Sequence, residues 1–151
     1  MATNKHPRQR LLGTLLLLAL VNPMAACGDD NDDTSSEADL LGIGATCERD
    51  SDCAEFEVED GGVQQLHCLT QFTGGYCGLA DCLASVDCPS GSICVAHDDG
   101  TNYCFGSCIV KTECNENRGP NEEANCSSNF VWAVPSDDNG LKACIPPSSG
   151  I

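Results

Sequence analysis

The placement of cysteine constrains this chain more than any other feature. Thirteen cysteines occur, and twelve of them follow position 44 in three groups of four. The groups are Cys47, Cys53, Cys68, Cys77; Cys82, Cys88, Cys94, Cys104; and Cys108, Cys114, Cys126, Cys144. Each group opens with C-x5-C, and the residue before each second cysteine is an acid: Asp52, Asp87 or Glu113. Between the third and fourth cysteines lies a turn dipeptide, Gly74-Gly75, Asp99-Gly100 or Asn139-Gly140, of the kind that closes β-hairpins. The third cysteine follows after 14, 5 and 11 residues and the fourth after 8, 9 and 17. Loops that vary in length around a fixed crosslinked frame have this signature. The expected fold is small and disulfide-rich: three tandem four-cysteine modules with short β-hairpins and little helix.

The thirteenth cysteine has a different context. Lys5, Arg8 and Arg10 precede an apolar run from Leu11 to Val21, which Asn22 and Pro23 end. A basic start followed by a short apolar stretch is the layout of a secretory signal peptide. The run is little more than half of the roughly 20 apolar residues a membrane-spanning helix needs. Met24, Ala25, Ala26 and Cys27 then resemble the lipobox of bacterial lipoproteins, which implies lipidation at Cys27 and cleavage before it. Cysteine arithmetic agrees, because an odd thiol is awkward in an oxidising compartment and removing Cys27 leaves an even dozen. Two or three acyl chains suffice to hold a protein on a bilayer. Gly28 lacks the Asp that commonly retains lipoproteins at the inner membrane, so the resemblance implies delivery to the outer membrane.

The expected organisation is a lipoprotein signal peptide over 1–26, a lipidated cysteine with an acidic disordered tether over 27–46, and modules over 47–81, 82–107 and 108–151, the last with a short polar tail. The tether reading rests on Asp29, Asp30, Asp32 and Asp33, whose like charges keep a polar chain extended. After Cys27 the chain carries four basic against 23 acidic residues, a formal charge of −19. Phosphate repulsion disfavours nucleic acid as a partner, and a basic protein or envelope polymer is the complementary class. Only about a fifth of these residues are large and apolar, near the level at which chains stop burying enough area to fold. Crosslinks worth about 3 kcal/mol each are expected to supply the order instead.

The middle group, with Pro89, Ser90 and Gly91 following Cys88, resembles the Dickkopf-type cysteine-rich domain and related colipase-like disulfide folds. The likeness covers Cys47 to Cys144 at most and concerns scaffold, since the outer groups have longer excursions. A nearer likeness is to the cysteine-rich lipoproteins abundant in some predatory Gram-negative bacteria. Four cysteines allow three pairings. The resemblance implies the interlaced one, first to third and second to fourth: Cys47 to Cys68, Cys53 to Cys77, Cys82 to Cys94, Cys88 to Cys104, Cys108 to Cys126 and Cys114 to Cys144.

No catalytic residue, cofactor or metal is expected. Structural zinc sites show cysteine pairs two to four residues apart, and only Cys104 and Cys108 come near that. His67 and His97 lack a nucleophile context and read as exposed loop residues. The run from Glu55 to Asp60 alternates acid and apolar residues, as in a half-buried strand. Phe130 to Val134, with the single tryptophan at Trp132, is either a local minicore or a partner anchor, so Phe130 and Trp132 are the candidate binding residues. The expected function is a non-enzymatic, envelope-anchored recognition or adhesion protein. The rival readings are a structural coat or spacer and a disulfide-framed protease inhibitor using a loop such as that between Cys114 and Cys126.

Overall fold

A computed structural model describes residues 35–58 and 60–148; the signal-peptide segment, Cys27 and the aspartates at 29, 30, 32 and 33 lie outside the described residues. The described chain is disulfide-rich, with one short helix and nine short strands that pair only antiparallel. Strands β1 (Glu55–Glu57) and β2 (Val63–Gln65) form one hairpin, and β3 (His67–Cys68) and β4 (Cys77–Gly78) another. The remaining strands are β5 (Ser92–Ala96), β6 (Asn102–Cys108), β7 (Asn125–Ser127), β8 (Val131–Trp132) and β9 (Lys142–Ile145). They make a five-stranded sheet in the order β7-β9-β6-β5-β8.

The β5–β6 hairpin organises the interior. Its register sets Ile93 against Phe105, Cys94 against Cys104 and Val95 against Tyr103. Because strand side chains alternate faces, the cysteines point one way and the apolar and aromatic residues the other. Cys94 and Cys104 join a cystine-rich cluster with Leu66, Cys77, Leu79 and Cys82. On the opposite face Ile93, Val95, Tyr103 and Phe105 pack with Leu69, Phe72, Tyr76 and Ala143. There Phe72 meets Phe105 at 5.4 Å and Tyr76 meets Phe105 at 5.1 Å, both edge-to-face. The chain thus has an aromatic core as well as crosslinks. Composition hides it, because the few large apolar residues are concentrated at these alternating positions.

Six disulfides join Cys47 to Cys68, Cys53 to Cys77, Cys82 to Cys94, Cys88 to Cys104, Cys108 to Cys126 and Cys114 to Cys144. Crosslinks therefore stay within each group of four cysteines, but strand pairing does not. β6 runs through the expected 107/108 boundary to Cys108, and β8 leaves the third group to pair with β5 of the second. An isolated bridge ties Ala80 to Tyr103, and the Cys104 N–H donates to Leu79 O at 3.0 Å. Hydrogen bonding and core are shared across the three segments.

One stretch differs from expectation. Residues 35–46, placed in the disordered tether, are folded. Ser36 and Asp39 form a capping box at the start of α1 (Glu37–Leu40), and Ala38 N–H donates to Ser90 O at 2.8 Å. Ile43 packs against both clusters, which offsets the ordering cost that a purely acidic tether could not meet. The segment after Cys144 is held against the first segment: Pro146 is fully buried, Thr73 N–H donates to Pro147 O, and Ser148 bridges to Phe72.

Candidate binding surface

The acid before each second cysteine has one role in all three segments. Asp52 accepts the N–H groups of Glu48 and Arg49 at 3.0 and 3.2 Å. Asp87 accepts those of Leu83 and Ala84 at 2.8 and 2.9 Å, and Glu113 accepts those of Ile109 and Val110 at 2.7 and 3.5 Å. Each carboxylate accepts the two N–H groups that directly follow the first cysteine of its group, closing the 3₁₀ turns Asp50–Asp52 and Ser85–Asp87 in the first two segments and, in the third, the stretch that leads into the 3₁₀ turn Glu113–Asn115. The Glu48 N–H and the Arg49 guanidinium hold Asp52 below the usual carboxylate range.

Of the candidate site residues, Cys27 lies outside the described residues. The twelve paired cysteines bring sulfurs close: those of Cys47, Cys53 and Cys77 lie within 4.8 Å of one another, as do those of Cys82, Cys88, Cys104 and of Cys108, Cys114, Cys144. All are in disulfides, and metal ligation requires thiolate. Among the described residues no helix is long and apolar enough to cross a membrane.

Phe130 and Trp132 are brought together, ring centroids 5.2 Å apart and tilted by 58°. Both are half-buried and pack on the aromatic face of the five-stranded sheet, where Trp132 is the β-partner of Val95. Between them Val131 is 68% exposed. Phe130 overhangs a cleft of about 370 Å³ whose lining includes Val95, His97, Asp98, Phe105, Val131 and Ile145. Trp132 does not line it.

His67 and His97 differ. His67 is exposed and its Nδ1 lies 3.1 Å from Asp50 Oδ2. Asp50 is held below its ordinary value by the Cys68 N–H and by that ring. His97, expected as an exposed loop residue, is instead largely covered: its ring meets Phe72 at 5.3 Å and Tyr103 at 5.7 Å, both edge-on. The turn beyond it is fixed by Thr101 N–H donating to Asp99 Oδ1 and Tyr103 O–H donating to Asp99 Oδ2, each at 2.9 Å. The Thr101 N–H chiefly holds Asp99 below its ordinary value. Sequence spacing alone could not place His97 beside Phe130, since β8 reaches β5 across 35 residues of chain.

The loop between Cys114 and Cys126 is pinned from within. Arg118 donates to Glu122 O at 2.6 Å, Gly44 O at 2.7 Å, Gly75 O at 3.1 Å and Thr73 O at 2.6 Å. The Asn115 side chain closes the loop through Lys111 O and the Ala124 backbone. Of the alternating run from Glu55 to Asp60, Glu55–Glu57 forms β1 and pairs with β2, with Glu55 and Glu57 outward and Phe56 half-buried against the cystine cluster.

Comparison with known protein families, with curated proteins and with solved structures finds no match to this chain.

Proposed function

We propose that this protein is a non-enzymatic recognition or adhesion module of the bacterial envelope, lipid-anchored through Cys27 at the outer membrane and built from three variants of one crosslinked unit of Dickkopf-like type. Support for the repeated unit comes from the shared capping acid at Asp52, Asp87 and Glu113, which performs one local task in each segment. The signal-peptide layout and the lipobox support the anchor. The observation that carries the recognition reading is the preformed cleft beneath Phe130, with Val131 exposed at its edge, on a sheet whose opposite face is crosslinked by cystines. Rigid frames of this kind present side chains to a partner at low entropic cost.

The inhibitor reading draws less support. The single basic residue of the Cys114–Cys126 loop, Arg118, has its guanidinium turned inward onto four carbonyls, so it is no bait for a protease that cleaves after arginine. A spacer without a ligand would have no use for the cleft. Crosslinking on intact cells followed by purification of the lipidated protein tests the function. Recovery of a specific basic protein or envelope polymer supports recognition, whereas recovery matching that of an unrelated acidic lipoprotein refutes it.

A further inference from the structure

The geometry points to the cleft beneath Phe130 as the docking site for a protein partner that inserts an apolar side chain carried next to a lysine or arginine. This rests on the recognition reading and names the partner's chemistry. On the aromatic face of the sheet, Phe72 and Tyr76 cover Phe105 from one side. The cleft lies beside this packed face, where Phe130, Val131 and Ile145 keep apolar surface in contact with solvent. Val95 and Phe105, both buried, form its floor, and the half-buried Phe130 and Ile145 flank it. Its volume of about 370 Å³ falls at the small end of the range for ligand pockets, enough for one large apolar side chain and part of its neighbour.

The rim selects the charge of that neighbour. Asp98 is exposed at the mouth, and among the described residues no lysine or arginine lines the cleft. The turn carrying Asp98 is preformed: His97 N–H donates to Thr101 O and Gly100 N–H to His97 O, each at 3.0 Å, and the His97 ring is wedged against Phe72 and Tyr103. An exposed carboxylate on a preformed turn beside apolar surface attracts a cation whose aliphatic stem also packs there. The −19 charge of the chain after Cys27 opposes a second copy, nucleic acid and anionic lipid alike. A basic protein segment is the occupant that meets both features.

The test uses the oxidised, isotope-labelled protein in detergent, titrated with the blocked peptide Lys-Phe-Lys and followed by backbone amide shifts. Glu-Phe-Glu and Lys-Ala-Lys serve as controls. Shifts are expected to centre on Ala96 to Asp98 and Asn129 to Val131, with each control at least tenfold weaker. Asp98→Lys and Val131→Asp, both at exposed positions that leave the fold intact, should each weaken Lys-Phe-Lys at least tenfold. The proposal is overturned if that peptide shifts no residue of the cleft, if Glu-Phe-Glu binds equally, or if neither substitution matters. Cleft shifts that track protein concentration without peptide would assign it to a second copy, and equally overturn the proposal. Capture from intact cells separates the two levels: no specific capture by the unaltered protein sinks recognition itself, whereas capture unchanged in Val131→Asp sinks only the cleft.

Discussion

The Arg118 guanidinium lies over the Tyr76 ring, 5.9 Å from its centroid, and from there donates to backbone carbonyls of Gly44, of the first segment and of its own third segment. Tyr76 is itself fully buried, its hydroxyl accepting the Gly106 N–H at 2.9 Å, and burial pushes the phenol well above its ordinary value. The pair joins three stretches of chain that no disulfide connects. Arg118→Ala should therefore cost about 3 kcal/mol or more, because it strands several carbonyls in a half-buried site. Arg118→Lys should recover only part, lacking the planar fork. Denaturant unfolding gives the measurement, and a loss below about 0.5 kcal/mol for the alanine variant would contradict this role.

Acid should destabilise through three surface aspartates. Asp50, Asp52 and Asp99 each have a lowered folded value, so in the unfolded chain they take up protons at higher pH than in the folded one. Their contribution is complete above the unfolded value of about 3.9 and declines as pH falls through and below it. Acid also relieves repulsion among the other carboxylates, so the informative quantity is a difference. Between pH 5 and 2 the melting temperature should fall more in the unaltered protein than in an Asp50→Asn, Asp52→Asn, Asp99→Asn variant. Parallel curves would contradict the assignment.

How much of this was legible in the sequence divides along local and long-range lines. Local features are visible: the acids before the second cysteines cap turns, and Asp99-Gly100 closes a hairpin, with Gly100 at φ +88 where residues other than glycine are strained. What the sequence leaves hidden is distant pairing. Nothing near Val131 announces Val95 as its neighbouring strand, and nothing in the acidic stretch before Cys47 announces that Ala38 reaches Ser90. The cleft inherits this, since Phe130 was visible as a candidate while His97 and Asp98 become its neighbours only through the β5–β8 pairing. The tryptophan drew the eye, yet it lies outside the cleft lining.

Trp132→Ala should act on stability rather than on recognition. Its ring is half-buried against Phe130 and the sheet, so truncation should cost about 2 kcal/mol, less than the roughly 3–5 kcal/mol of a fully buried aromatic deletion. Thermal melting checks this. An unchanged melting temperature together with lost binding would restore Trp132 as the anchor.

Reduction should remove cooperative folding despite the aromatic core. Six loops at about 3 kcal/mol each exceed the roughly 5–15 kcal/mol of net stability of a typical domain. Near-ultraviolet circular dichroism in strong reductant should show the aromatic signal collapse. A retained cooperative transition would mean that the core alone suffices.

The central claim, recognition at the cleft beneath Phe130, is tested most directly by a photocrosslinking residue placed at Val131 of the full chain expressed in intact cells. A discrete adduct with a basic protein is predicted, lost when Asp98→Lys is added and absent when the probe sits at Gly61 in the acidic β1–β2 hairpin. No adduct at Val131, or the same adducts from Gly61, would contradict it.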